Sequence, residues 1–245
     1  MKRVKCTVSY DGSRFAGYQV QPGQRTVQQE IEKALATLHK GRHVKTAASG
    51  RTDAGVHAMG QVIHFDTDLS IPETSWPAAL NSLLPGDISV SKAAYADPAF
   101  HARYSVKEKE YRYRIYFSHV RSPFKHRYAL RVWYSLDIEA MEAAAETVLG
   151  THDFTSFCSA KTEVEDKIRT LKEIRFLQQD DELVICFKGN GFLYNMVRIL
   201  TGTLLEIGSG KRDPGEMREI LEKRNRIYAG KTAPPEGLYL WKVSY

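Results

Sequence analysis

The segment Ser49-Gly50-Arg51-Thr52-Asp53-Ala54-Gly55-Val56-His57-Ala58 puts one carboxylate in a turn with glycine on both sides. Glycine permits positive φ and close approach of backbone to a ligand, and small Ala54 and Ala58 leave room beside the acid. Arg51, two residues before Asp53, is expected to hold the carboxylate ionised, since an adjacent guanidinium lowers a carboxyl pKa by about 1–3 units. An ionised, positioned carboxylate is a nucleophile, or a stabiliser of positive charge developing on a sugar carbon. The same letters fit an Asp that closes an Asx-turn beside a surface Arg, and spacing by itself favours that plainer reading.

Two further side chains are candidates. In the run Tyr111–Phe117 a period of two sets Tyr111, Tyr113, Ile115 and Phe117 on one face, with Arg112, Arg114 and Tyr116 on the other. That pattern makes Tyr111 a core aromatic. Arg198 stands beside a helical face of Met196, Ile199, Leu200 and Thr203. A charge there needs a partner such as a carboxylate, or snorkels at the helix margin, and the pattern favours neither. His57, His64, His101 and His152 show no metal spacing and read as structural residues or contacts to an RNA backbone. Lys211-Arg212 follows Gly208-Ser209-Gly210 but lacks the full phosphate-loop spacing. Cys6, Cys158 and Cys186 are far apart and odd in number, which predicts reduced thiols buried as small apolar residues in a cytoplasmic protein.

The whole chain sets the frame for these residues. At 245 residues, 42% hydrophobic and 26% charged, it suits one large globular domain or two packed smaller ones. No run approaches the ~20 apolar residues of a membrane span, and the basic start lacks the apolar core of a signal peptide. The net charge of +6 is unevenly spread: nine Lys/Arg against Glu108 and Glu110 fall between His101 and Arg131, interleaved with Tyr104, Tyr111, Tyr113, Tyr116 and Tyr128. Positive charge mixed with flat rings suits a polyphosphate ligand carrying bases; a solvated basic face fits too.

Local patterns predict the elements that must position the candidates. Lys2–Tyr10 alternates as a strand. Thr26-Val27-Gln28-Gln29 is a capping box opening a helix of Val27, Ile31, Leu35 and Leu38 that runs to about Lys40 and stops at Gly41. Strands follow at His43–Ser49 and Gln61–Asp68, separated by a Gly50–Gly60 loop; a helix at Ala78–Leu84 and a strand at Ile88–Ala96 complete a β-α-β-β-α-β order, the ferredoxin-like pattern. The second half reads as a strand at Lys109–Ser118, a helix at Asp137–Leu149 capped by Asp137, and a hairpin of Ile168–Gln178 and Leu183–Lys188 turning at Asp180-Asp181. Helices at Leu193–Ile207 and Pro214–Lys223 and a strand at Leu238–Tyr245 close it. Two α/β halves, residues 1–105 and 106–245, are expected.

The motifs together resemble the tRNA pseudouridine synthase A family. GRTDAGVHA followed by GQVIHF is similar to its active-site segment, and YDGSRFAGYQVQP with TVQQEIEKAL to its opening. KEYRYRI, NGFLYNMVRILTGTLLEIGSG and APPEGLYLWKVSY follow in the family's order, so the likeness runs from residue 8 to the last residue. The resemblance implies an α+β pseudouridine synthase fold, with two ferredoxin-like halves forming a largely antiparallel sheet flanked by helices. It implies Asp53 as nucleophile, Tyr111 against the target uracil, and Arg198 paired with Asp53. The substrate it implies is uridine at positions 38, 39 and 40 in the anticodon stem-loop of tRNA, bound by a homodimer. Arg51, Arg14, Arg25 and His57, with the basic 101–131 segment, are the expected substrate contacts. Breaking the glycosidic bond, turning the uracil and rejoining it through C5 is an isomerisation, so no cofactor and no metal is expected. The alternatives are a non-catalytic RNA-binding module, which needs no acid in its groove, and a metal-assisted hydrolase built on Asp53 and histidines.

Overall fold

Strand β1 (Lys2–Tyr10) turns Val4, Cys6, Val8 and Tyr10 inward and the residues between them outward, as strand geometry requires. The computed structural model describes residues 1–162 and 164–245. Helix α1 (Val27–Leu38) buries Val27, Ile31 and Leu35, and Thr26 caps it by accepting the Gln29 N–H at 3.4 Å. It ends at Gly41, whose φ of +91° lets its N–H reach Ala36 O at 2.8 Å.

The predicted strand over 43–49 shrinks to β2 (Ala47–Ala48). Thr46 gives its N–H (2.9 Å) and its hydroxyl proton (3.0 Å) to the Glu32 carboxylate instead of to a neighbouring strand. Conversely, β3 (His57–Thr67) starts inside the predicted 50–60 loop. Helix α2 (Trp76–Asn81) begins and ends earlier than the spacing predicts, and β4 (Ile88–Ala96) falls where expected.

In the second part, β5 (Glu108–Phe117) is followed by β6 (Leu130–Val132) and α3 (Ile138–Glu146), whose N-terminus Asp137 caps by accepting Ala140 N–H at 2.9 Å. Then come β7 (Gly150–Asp153), β8 (Ile168–Gln179) and β9 (Glu182–Gly189), the hairpin turning at Asp180 with φ +51°. Helices α4 (Met196–Gly208) and α5 (Glu216–Lys223) and strand β10 (Leu238–Ser244) complete the chain. The short β6 and β7 have no alternation to announce them. Tyr116, predicted on the polar face of β5, is buried: its hydroxyl accepts Ser122 N–H at 3.3 Å, and Lys125 Nζ lies 5.6 Å from its ring centroid.

The chain forms two units, Met1–Lys107 with Tyr239–Tyr245, and Glu108–Leu238. The closing strand, which the sequence assigns to the second half, thus packs with the first through Tyr239–Tyr245. In the first unit β1 lies between β4 and β3, both antiparallel to it, and β3 carries both β2 and β10 on its other side. The order β4-β1-β3-β2 is the ferredoxin-like one. Strand β10 joins in parallel at Tyr239↔His57 and Leu240↔Ala58, and Gly60 is needed there because a Cβ would overlap Trp241 O. In the second unit β5, β9, β8 and β7 are successive antiparallel neighbours, with β6 parallel to β5 and α3 packed on α4. The class is α+β with largely antiparallel sheets, as the sequence predicts. All three cysteines are free and buried in the core. No helix among the described residues is long and apolar enough to cross a membrane.

Candidate active site

Gln61, fully buried on β3, holds the loop that carries Asp53. Its Oε1 accepts the Ser49 hydroxyl (2.6 Å) and the Gly50 N–H (3.3 Å), while its Nε2 donates to Gly50 O (2.8 Å) and Tyr10 Oη (3.5 Å). One side-chain amide therefore satisfies both backbone groups of Gly50, which a strand would otherwise have to pair. Tyr10 Oη and Thr52 Oγ1 share a bond of 2.8 Å, and Thr52 O accepts Tyr18 N–H at 3.0 Å. Burial pushes the Tyr10 phenol up to about 12, so it acts as a neutral hydroxyl.

The opening loop presses on the other side. Gly17, at φ +106°, lets backbone approach so closely that a Cβ would stand 2.9 Å from Thr52 O. A Cβ on Gly12 would overlap Val56 O. Asp53 is half-buried between these supports. The turn after it is closed by backbone, Val56 N–H to Asp53 O at 3.1 Å, with Gly55 at φ +78°. The Gly55 N–H is directed to Phe15 O at 3.4 Å, which ties this turn to the opening loop. The geometry is that of a carboxylate on a pre-organised backbone.

The neighbours expected from sequence divide into two groups. Arg51 is exposed and makes no ion pair among the described residues; its side chain lines a cleft of about 240 Å³. Arg14 is also exposed, in a 3-10 turn after Asp11. Arg25 is committed elsewhere: its guanidinium forks onto Asp87 (2.8 and 2.9 Å), lies 4.1 Å from the Phe15 ring centroid, and sits 3.9 Å from Glu30. His57 is only 2% exposed; its Nδ1 accepts Gly12 N–H at 3.1 Å, and its ring stacks on Tyr239 at 4.6 Å. Its part is to fasten the opening loop to β3, which leaves it no surface for RNA.

Tyr111 and Arg198 belong to the second unit. Tyr111, 9% exposed near the start of β5, lies opposite Phe187 and meets the Phe192 ring edge-on at 5.0 Å. The Arg198 guanidinium donates from Nε to Ala233 O (2.7 Å) and from a terminal nitrogen to Asn195 Oδ1 (2.9 Å), so backbone and amide oxygens aim it. Gly202 makes this possible, because a Cβ there would overlap Lys231 O and push the 231–233 segment off α4.

Sequence reasoning missed Gln61, Tyr10 and Tyr18 as supports, and it missed the grouping of Arg51 with the turn His101-Ala102-Arg103-Tyr104 at the cleft. Only pairing of distant strands brings these together. That turn is anchored from both sides: Ala102 donates its N–H to His64 Nδ1 at 3.1 Å and accepts the Tyr245 hydroxyl at 2.7 Å. Among the described residues no group of three or more His, Cys, Asp and Glu is arranged to hold a metal ion.

Comparison with known proteins shows the family of the chain. The family described as tRNA pseudouridine synthase matches residues 7–105 and 144–245. The chain is 58% identical over 245 residues to tRNA pseudouridine synthase A 1 of Bacillus cereus (strain ATCC 10987 / NRS 248), covering 100% of this chain and 99% of that one. It is 56% identical to tRNA pseudouridine synthase A of Geobacillus sp. (strain WCH70), over 100% of this chain and 98% of that one. With tRNA pseudouridine synthase A of Bacillus pumilus (strain SAFR-032) it shares 59% identity over 99% of each.

Proposed function

The chain belongs to the tRNA pseudouridine synthase family and is an isomerase that makes pseudouridine in tRNA, and we propose that it does so at positions 38, 39 and 40 of the anticodon stem-loop with Asp53 as nucleophile. The observation that supports the assignment of Asp53 is its loop: a half-buried carboxylate on backbone fixed by Gln61, Thr52, Gly12 and Gly17.

The proposed chemistry needs little else. The target uridine leaves its stack to meet Asp53. The carboxylate holds the sugar or the base while the N1–C1′ bond is open, the uracil turns over, and the new bond forms from C5, whose proton is lost. Excluding water during that interval prevents an abasic product. Tyr111 packs against the uracil, supported by Phe192, and its hydroxyl is a candidate to take the C5 proton. Arg198, aimed by Ala233 O and Asn195, keeps the Asp53 carboxylate ionised. Arg51 and Arg14 contact the RNA, and a homodimer presents the surface that one tRNA spans.

The test is release of tritium from an unmodified tRNA transcript carrying C5-tritiated uridine, without added metal, followed by mapping of the product. Wild type releases label from positions 38–40, while Asp53→Asn binds the transcript and loses about 10³-fold or more in rate. Wild-type turnover by Asp53→Asn sinks the nucleophile assignment. Product at other positions sinks the site assignment.

A further inference from the structure

The cleft beside the Asp53 loop lies wholly in the first unit, and its lining has the chemistry of a nucleotide site. Two cations, Arg51 and Arg103, reach it, and neither makes an ion pair among the described residues. Other arginines of this unit are engaged by acids, as Arg25 is by Asp87 and Arg3 by Asp66. Tyr104 also lines it, 78% exposed, with its ring stacked on His101 at 4.3 Å and an interplanar angle of 29°. His101 is in turn braced edge-on by His64 at 4.8 Å. A large aromatic ring held flat in solvent by a second ring is a stacking platform with one face unused.

Tyr18 gives an independent sign. It lines the same cleft, is 3% exposed, and its hydroxyl makes no geometrically sound hydrogen bond among the described residues. Thr46, whose own hydroxyl proton goes to Glu32 at 3.0 Å, turns its oxygen toward the Tyr18 hydroxyl without reaching full hydrogen-bond geometry. A buried hydroxyl without a partner costs stability, and one facing a cleft is satisfied when a ligand supplies the acceptor.

We infer that this cleft holds one nucleotide of the RNA next to the target uridine, its base stacked on Tyr104, its phosphate against Arg51 and Arg103, and a polar atom of it accepting the Tyr18 hydroxyl. The placement next to the target rests on the assignment of Asp53, because Arg51 is two residues from it in the same loop. A cleft that offers one free aromatic face takes a single splayed-out base rather than a base pair. The cleft thus selects RNA that is locally opened, and it couples the opening of a neighbour to the flipping of the target.

The experiment measures the Kd of the full chain for unmodified tRNA transcript across salt concentrations, and tritium release in parallel. Tyr104→Ala weakens binding about tenfold and raises KM with kcat little changed, while Tyr104→Phe restores both. Arg103→Ala weakens binding and lowers the slope of log K against log salt by about one. Tyr18→Phe weakens binding several-fold while the melting temperature stays or rises, which packing alone does not produce. Wild-type Kd and salt slope in both Tyr104→Ala and Arg103→Ala, whatever their thermal stability, overturn the inference. Binding that depends on Tyr104 and Arg103 without tritium release supports the subsite and refutes the isomerisation proposal. Tritium release with wild-type KM in both variants does the reverse, and failure of wild type to bind tRNA defeats both.

Discussion

The Asp53 loop and the basic stretch from His101 to Arg131 are both rich in polar residues, but they are built in opposite ways. The loop acts as one body: Gln61 and Tyr10 hold it from the sheet while Gly12 and Gly17 admit the opening loop against it. The basic stretch is split. His101–Lys107 belongs to the first unit, and the remainder to the second, where Arg112 pairs with Glu110 (2.7 Å), Arg114 with Glu182 (2.7 Å) and Lys125 with Asp181 (2.9 Å). A carboxylate gains its function from rigidity around it, whereas cations in sequence give an RNA surface only where no acid meets them in space. Arg103 meets that condition, and Arg112 and Arg114 do not.

That contrast can be broken or sharpened by measurement, beginning where the expected effect is largest. Gly12→Ala forces a Cβ into Val56 O and should cost about 3 kcal/mol, read as a shift in the denaturation midpoint. Activity should fall further than the unfolded fraction explains, because the backbone of Asp53 moves with Val56. Gln61→Ala strands both polar groups of Gly50 and should cost roughly 2 kcal/mol, with the same excess loss of activity. If either variant keeps full activity per folded molecule, the loop is not the rigid support described.

The third measurement is stability against pH. Burial first, then the charge of Arg3, lowers His64 from its ordinary 6.5 to about 4. In the unfolded chain it takes up a proton near 6.5, so stability is whole above that value and declines as pH falls toward 4. A protonated His64 can no longer accept the Ala102 N–H at 3.1 Å, so RNA binding through the His101–Tyr104 turn should weaken over the same range. His64→Gln should flatten the stability profile between pH 6.5 and 4; an unchanged slope there assigns it to other groups. Smallest of all is Arg114→Ala, expected to change stability by less than about 1 kcal/mol and to leave the salt slope for tRNA unaltered. A slope reduced by one there would return the second unit's paired cations to the RNA surface.

Much of this was legible in the sequence where the cause is local. Thr26, Asp137, Gly41 and the Asp180-Asp181 turn mark element ends through contacts within a few residues, and the alternation of β1 and β5 marks strands. Asp53 stands out as a candidate in the sequence because its motif is contiguous. What escaped depends on residues far apart in the chain. The Asp87 that neutralises Arg25 lies 62 positions away, and Tyr18, Arg51 and Arg103 meet only after β1, β3 and β4 pair. His43–Ser49 alternates acceptably, yet Glu32, from α1, takes the hydrogen bonds of Thr46 that a strand would need. Gln61 reads only as the first residue of a strand, because nothing in its neighbourhood announces a bend that requires a buried amide.

The return of Tyr239–Tyr245 to the first unit has a consequence for biosynthesis. Tyr239 stacks on His57, Ser244 O accepts the Lys107 N–H at 2.9 Å, and the Tyr245 hydroxyl bonds Ala102 O. A ribosome adding roughly 5–20 residues per second delivers these residues on the order of ten seconds after Lys107. Until then the nascent first unit lacks a strand beside β3 and one of the two anchors of the Arg103–Tyr104 turn. The newborn chain therefore gains the second anchor of the Arg103–Tyr104 turn only once Tyr245 has been added.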